Sequence, residues 1–224
     1  MTLRLVAAVA LAAALLLVLA FLHLVGRGPF TSAAARHLRA MKERTAEARA
    51  FALCTFPDFA ALPHGAPLPR YAMIEERAVA LEGYVTGMLH ASDGDVHLEI
   101  GYEPRRDTTE ALYVTGEITP AIRRRHPDWT YERLQQTFRP LSSPPFDRPS
   151  ARVRISGWLL YNFQYDGLPD TSDAIRALWN RANPTRHRAT GRASTWPRLT
   201  GWEIHPVTQV EVWDDSLGWR RLAS

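Results

Sequence analysis

Residues 201–213 read GWEIHPVTQVEVW, which is the most informative segment of the sequence. Apolar and polar side chains alternate along it, which is typical of a β-strand with one face on the core. The core-facing phase contains Trp202, Ile204, Thr208, Val210 and Val212. The opposite phase contains Glu203, His205, Gln209 and Glu211. Because a proline cannot donate a strand hydrogen bond, the proline inside the run predicts an edge position or a bulge.

A second segment, residues 93–100, reads DGDVHLEI and repeats this pattern. The Asp-Gly pair readily adopts positive φ, so residues 92–95 are predicted to form a hairpin turn that leads into a strand. Alternation then places Val96 and its in-phase neighbours on the core, with His97 and Glu99 on the outer face. Each of the two segments therefore presents an imidazole and a carboxylate on one face of a strand.

The order of the predicted elements indicates the fold class. Strands are expected at residues 79–89, 96–102, 111–116, 152–161 and 202–213. A helix is expected at 129–138, with Asp128 as its N-cap. The order β-β-β-α-β-β predicts a mainly β protein, an OB-like five-stranded Greek-key barrel with a helix between strands 3 and 4.

The chain is predicted to consist of three parts. Residues 1–30 are a membrane anchor or signal segment, residues 31–70 are a juxtamembrane helix and a proline-rich linker, and residues 71–224 are the OB-like domain. The domain contains a long connection at 162–200, with a short helix expected at 172–180. Long loops in compact domains are usually either functional or disordered.

The amino-terminal segment, residues 5–25, is almost wholly apolar. Its length suits the roughly 20 residues of a helix that crosses a bilayer and exceeds the about 7–15 residues of a signal-peptide core. We predict an uncleaved transmembrane helix, with cleavage near residues 32–35 as the alternative. A further helix is expected from Thr31 or Ser32 to about Ala52.

The sidedness of the anchor has two interpretations. The basic residues on the carboxyl side of the apolar segment favour a cytoplasmic domain. A start-anchored segment with a very short amino-terminal tail instead favours export of the rest of the chain. Of the two, we predict export, with a membrane-anchored domain that faces the periplasm or the cell exterior.

Charge and cysteine content exclude several classes of protein. The formal net charge is +4, and residues 1–30 contribute Arg4 and Arg27 without any acidic residue. The remainder is close to neutral, whereas specific nucleic-acid-binding domains are usually strongly basic. Cys54 is the single cysteine, which excludes an intrachain disulfide and a cysteine-rich zinc site. We predict that its thiol is inert, and the chain has no nucleotide-cofactor motif.

Three segments resemble a group of exported bacterial OB-fold-like domain proteins of unassigned activity. They are residues 93–98 (DGDVHL), 151–160 (ARVRISGWLL) and 201–208 (GWEIHPVT), and the last contains the Trp-Glu-Ile-His-Pro-Val strand motif of the group. The resemblance covers roughly residues 78–213 and implies a fold and an exported location. Residues 161–166 (YNFQYD) depart from the group's pattern because they lack its histidine after the fourth strand.

The polar strand faces are the first candidate site. In an OB barrel the second and fifth strands flank the third, so His97 and Glu99 are expected near Glu203 and His205. Imidazole and carboxylate groups suit zinc, carboxylates also suit harder ions, and a metal-bound water can carry out hydrolysis. A purely structural role and a ligand contact are the alternatives, and the pattern does not identify a metal.

The long connection is the second candidate site. It places arginines among aromatic residues, and arginines contact backbone phosphates whereas aromatic rings stack on bases or sugars. The candidate ligand-binding residues are Arg186, Arg188, Trp196, Tyr161 and Tyr165. The alternative is a solvated surface flap.

These observations predict a membrane-anchored OB-like binding domain. Its ligand would be an anionic oligomer, either an oligonucleotide or a glycan, or a protein partner. One alternative is a metal-assisted, nuclease-like hydrolase that uses the His97–Glu99 pair and the Glu203–His205 pair. A second alternative is a structural module of the cell envelope. The sequence indicates no particular cofactor.

Overall fold

The computed structural model describes residues 10–20, 32–91, 93–104, 112–142, 149–163, 190–192 and 198–223. The chain divides into two compact units, Met1–Glu43 and Arg44–Ser224. The predicted helix at 172–180 and most of the long connection lie outside the described residues.

The amino-terminal unit contains two helices among its described residues. Residues 10–20 form α1, and Ala33–Lys42 form α2. Ser32 caps α2 as predicted, because its hydroxyl accepts a hydrogen bond from the Ala35 amide at 3.1 Å. Helix α2 ends at Lys42, well before the predicted end near residue 52, because residues 52–54 pair with a strand instead.

The predicted transmembrane helix is described only at residues 10–20, since residues 1–9 and 21–31 lie outside the described ranges. Within those ranges, no helix combines the length and the apolar character that crossing a membrane requires.

The carboxy-terminal unit is mainly β, as predicted. Its described residues contain the strands β1 Ala52–Cys54, β2 Ala78–His90, β3 Val96–Gly101, β4 Tyr113–Ile118, β5 Arg152–Tyr161, β6 Thr190–Arg192, β7 Arg198–Asp214 and β8 Gly218–Arg221. Its helices are α3 Phe56–Ala60, α4 Leu68–Glu75, α5 Pro120–Arg123 and α6 Tyr131–Phe138. These strands form one mixed sheet.

Five of these strands pair in a closed circuit. β2 pairs with β3, and β3 with β4, both antiparallel. β4 pairs with β7 in parallel, β7 pairs with β5 antiparallel, and β5 returns to β2 antiparallel. β1 and β6 add to β2, and β8 adds to β7. α5 and α6 lie in the connection between β4 and β5.

In β3 and at the start of β7, strand alternation sorts the side chains between the core and the opposite face, as the sequence predicted. Val96 and Ile100 of β3 are fully buried members of the core cluster, and so are Trp202 and Ile204 of β7. Burying an aliphatic or aromatic side chain stabilises the fold by about 1.5–3 kcal/mol. Because these residues face the core, His97 and Glu99 of β3 and Glu203 and His205 of β7 lie on the opposite face of their strands. Further along β7, Val207 also belongs to the core cluster, although the sequence did not place it in the core-facing phase.

The bulge expected from the proline of β7 is present. The β5–β7 register shifts on both sides of Gly157, which pairs with Val207. Gly157 is required there, because a Cβ atom would overlap the carbonyl oxygen of Pro206. Glycine therefore permits the close approach of the two backbones.

The segment expected to be a proline-rich linker contains strand β1 and helices α3 and α4. Pro57 lies in the first turn of α3, and Pro69 in the first turn of α4. A proline costs little there because a first-turn amide has no helical acceptor. Phe59 of α3 is 1% exposed and belongs to the core. The prolines therefore mark helix starts rather than a linker.

Several predicted boundaries differ from the structure, and β7, for example, begins at Arg198 rather than at residue 202. The third strand was expected to end at Gly116, but β4 continues to Ile118. Helix α6 is capped by Thr130 rather than Asp128, because the Thr130 hydroxyl accepts from the Arg133 amide at 3.2 Å. The Asp128 carboxylate instead accepts from the Arg133 side chain at 3.0 Å.

An ion-pair network crosses β2, β5 and β7. Arg154 donates to Glu82 at 2.7 Å and to Glu211 at 3.1 Å, and Arg152 donates to Glu82 at 2.8 Å. Burial by itself would raise the pKa of Glu82, but the hydrogen bonds from Arg154 and Arg152 outweigh burial and hold that pKa below its usual value. Ionised Glu82 therefore stabilises the folded state.

We expect Glu82→Gln to lower the free energy of unfolding at pH 7 by about 1 kcal/mol, since hydrogen bonds to charged groups are worth slightly more than that before solvent screening. Because the folded pKa is depressed, the contribution is complete above the unfolded pKa of about 4.3 and is lost as the pH falls through the folded value. Urea unfolding of both proteins between pH 7 and pH 3 measures the difference.

Glu47→Gln is the matched control, since Glu47 forms an exposed ion pair with Arg125 at 3.3 Å. Such surface pairs contribute about 0–1 kcal/mol. A Glu82→Gln deficit that persists unchanged at pH 3 would contradict the proposed ionic origin.

Candidate functional site

One row of polar side chains crosses the three adjacent strands β3, β4 and β7. The β3–β4 register places His97 directly opposite Glu117. The β4–β7 register pairs Gly116 with Ile204. Because these two strands are parallel, the next residue on each, Glu117 and His205, also lie side by side. The row therefore reads His97–Glu117–His205, with the glutamate in the middle.

The Glu117 carboxylate contacts both imidazoles. His205 Nδ1 donates to Glu117 Oε2 at 2.8 Å, and both side chains are at most 1% exposed. His97 Nε2 lies 3.4 Å from Glu117 Oε1, and the His97 side chain is 19% exposed. Among the described residues, this Nε2 atom is buried and has no hydrogen-bond partner. Two imidazoles thus converge on one buried carboxylate.

Asp95 adds a second carboxylate to the row. It is 7% exposed and ends the predicted β2–β3 turn, whose described residues form a turn with Gly94 at φ +91°. One ligand atom each from Asp95, Glu117 and His205 lie within 4.8 Å of one another. We call these three residues and His97 the His–Glu–His cluster.

A second row lies one step along the same strands. Glu99 pairs with Thr115, which in turn pairs with Glu203. Glu203 is fully buried, and its carboxylate accepts hydrogen bonds from Arg198 at 2.6 Å and from Asn162 at 3.3 Å. Glu203 is thus neutralised by an arginine, and two residues along a strand separate it from His205 by about 7 Å.

The composition of the His–Glu–His cluster suits a cation. Asp95 and Glu117 place two carboxylates close together in a region shielded from water. Imidazole nitrogens and carboxylate oxygens together form a donor set that suits zinc, manganese and iron.

The structure brings two of the four predicted catalytic residues into one cluster. His97 and His205 meet through Glu117, whereas Glu99 and Glu203 belong to the neighbouring row. Glu117 and Asp95 were not among the predicted site residues. Extending the third strand by one in-phase residue beyond Thr115 would have reached Glu117.

The predicted ligand-binding residues have different outcomes. Arg186, Arg188, Trp196 and Tyr165 lie outside the described residues. Tyr161 is 5% exposed and belongs to the core, where its ring stacks on Tyr71 with 3.9 Å between centroids. Packing in the core therefore accounts for the position of Tyr161 without a ligand.

Cys54 fits the prediction of an inert thiol. Burial is the largest influence on it and, together with the charge of Asp58, raises the pKa of the thiol. The nucleophilic thiolate is therefore a minor form at neutral pH.

Comparison with known proteins adds no family to this description. No protein-family model matches the chain, and no match was found among curated proteins. The function is accordingly inferred from the geometry and chemistry of the His–Glu–His cluster.

Proposed function

We propose that the carboxy-terminal unit is an OB-like barrel that binds a divalent metal ion at the His–Glu–His cluster and hydrolyses an anionic ester there. The observation that carries the proposal is the buried Glu117 carboxylate between His97 and His205, with Asp95 beside it. Of the functions considered from the sequence, metal-assisted hydrolysis is the one that makes use of this arrangement.

The OB-like assignment is supported by strand order. An OB barrel is a five-stranded Greek-key barrel, and its ligand face lies on strands 2 and 3. The circuit β2–β3–β4–β7–β5 also has five strands. In chain order β4 is its third strand and β7 its fifth, and these two pair in parallel. The His–Glu–His cluster lies on β3, β4 and β7, which correspond to strands 2, 3 and 5.

Each residue of the cluster has a distinct chemical role in this proposal. Asp95, Glu117 and His205 hold the ion, because they are buried and their ligand atoms are close together. A bound metal ion lowers the pKa of a coordinated water to about 7 and polarises an ester oxygen. His97 is partly exposed, and its Nε2 atom lies 3.4 Å from Glu117 Oε1, so this side chain lies between the buried ligands and solvent.

The row of Glu99, Thr115 and Glu203 lies beside the His–Glu–His cluster and helps to position it. The Arg198–Glu203 ion pair is nearly buried, with side chains 13% and 0% exposed. Arg198 also donates to the Thr200 carbonyl at 2.8 Å, so its guanidinium is held in position. We assign Glu203 a positioning role on β7. The sequence alone left open whether this carboxylate orients the histidines or activates water.

We expect the full chain, purified in detergent and stripped with a chelator, to bind Zn²⁺ or Mn²⁺ and to become more stable. A ligand that binds only the folded state adds about 2.7 kcal/mol at a hundredfold excess over its Kd. Glu117→Gln and His205→Ala should remove this gain. Thermal melts and titration calorimetry measure it, and turnover of a chromogenic phosphodiester tests hydrolysis.

His37→Ala is the control, because it removes a histidine outside the cluster and should leave the metal response unchanged. Equal metal responses in the parent and in Glu117→Gln would overturn the proposed site. If the protein binds metal but does not hydrolyse phosphodiesters or other anionic esters, the metal site is retained and hydrolysis is excluded. The function would then be ligand binding, as the sequence predicted for Arg186, Arg188 and Trp196.

We further propose that residues 5–25 anchor the protein in a membrane, with the domain in the periplasm or outside the cell. The apolar length of the segment supports this, and so do the exposed side chains of α1, where Leu11 is 74% and Leu17 is 72% exposed. A helix that displays such residues all round is suited to lipid.

We expect the full chain to stay in the membrane pellet after alkaline carbonate extraction, whereas a chain lacking residues 1–30 should be released. Protease added to spheroplasts should digest the domain if it faces outward. Extraction of the full chain by carbonate would contradict anchoring, and protection in spheroplasts combined with digestion after lysis would contradict export.

A further inference from the structure

We propose that the cluster holds two metal ions, with Asp95 as the carboxylate that bridges them. This proposal rests on the proposed function and adds the number of metal ions that the site binds. Two ions about 3.5–4 Å apart form a clamp that stabilises both the attacking and the leaving oxygen of a phosphoryl group. The inference therefore narrows the substrate class to phosphate esters.

The geometry supplies two sets of ligands that share one residue. Asp93, Asp95 and His97 offer ligand atoms within 4.8 Å of one another, and so do Asp95, Glu117 and His205. Asp95 is common to both sets. A carboxylate has two oxygens, each of which can bind an ion, so a shared aspartate is suited to bridge two adjacent ions.

His97 connects the two sets in space. It belongs to the first set, and its Nε2 atom lies 3.4 Å from Glu117 Oε1 of the second. This nitrogen is buried without a hydrogen-bond partner among the described residues, although an imidazole nitrogen shielded from water normally has one. A metal ion at the first set would provide the missing partner.

The turn that carries the two aspartates is held in place before any ion binds. Gly94 has φ +91°, and the Asp95 amide donates to the Asp93 carboxylate at 3.2 Å. The Ala91 amide donates to the Asp95 carbonyl at 2.8 Å, and the Arg123 guanidinium donates to the Gly94 carbonyl. Asp93 and Asp95 are therefore presented together from a fixed turn.

Burial distinguishes the two sites. Asp95, Glu117 and His205 are all buried, whereas Asp93 is exposed and His97 is half-buried. The inner set of ligands thus lies deeper in the protein, and the outer set lies nearer to solvent. We expect the outer ion to bind more weakly and to meet the substrate first.

The stoichiometry of Mn²⁺ and Zn²⁺ binding to the full chain in detergent tests the inference. We expect two ions per chain by equilibrium dialysis with elemental analysis, and an electron paramagnetic resonance spectrum of coupled Mn²⁺ pairs. Asp93→Asn should bind one ion with an uncoupled spectrum, since asparagine keeps the acceptor for the Asp95 amide. His97→Gln should behave in the same way.

Asp128→Asn is the matched control, because Asp128 is a surface aspartate paired with Arg133 and should leave the count at two. The proposal of a second ion would be overturned if the parent binds one ion per chain, Asp93→Asn still binds one, and His205→Ala binds none. That result would leave the proposed function in place. The absence of any bound ion in the parent would overturn both.

Discussion

The parallel pairing of β4 with β7 is the constraint on which both the fold and the candidate site depend. It links the β2–β3–β4 meander to the β7–β5 pair, and the return of β5 to β2 then closes the circuit. The same pairing places Glu117 beside His205, two residues that are far apart in the chain. A shift of this register by one residue would turn Glu117 toward the core and separate the pair, because strand side chains alternate between faces.

Burial gives this arrangement its chemical significance. A carboxylate that is nearly inaccessible to water carries a large desolvation cost, and a second carboxylate close by increases that cost. Asp95 and Glu117 are in this situation, and the imidazoles of His97 and His205 face the Glu117 carboxylate. A cluster of this composition is typical of a metal centre, where the ion supplies positive charge without disturbing the packing of the strands.

Much of the architecture could be predicted because alternation and turn chemistry are local properties. The fourth strand was predicted at 152–161 and is observed at Arg152–Tyr161, and the Asp-Gly turn before β3 was also predicted. The centre of the site could not be predicted in the same way. Glu117 lies just past the predicted end of its strand, and its importance depends on two non-local pairings. The prolines of residues 54–70 were misleading, since a proline signals a loop and the first turn of a helix equally well.

Anomalous X-ray diffraction from crystals of the full chain grown with Zn²⁺ would show directly whether the His–Glu–His cluster binds a metal ion. We expect a strong anomalous peak between β3, β4 and β7, about 2.0–2.2 Å from ligand atoms of His205, Glu117 and Asp95. A map that shows no peak at the His–Glu–His cluster, together with an intact hydrogen bond from His205 to Glu117, would contradict metal binding there. In that case the row would be a structural hydrogen-bond network of the sheet.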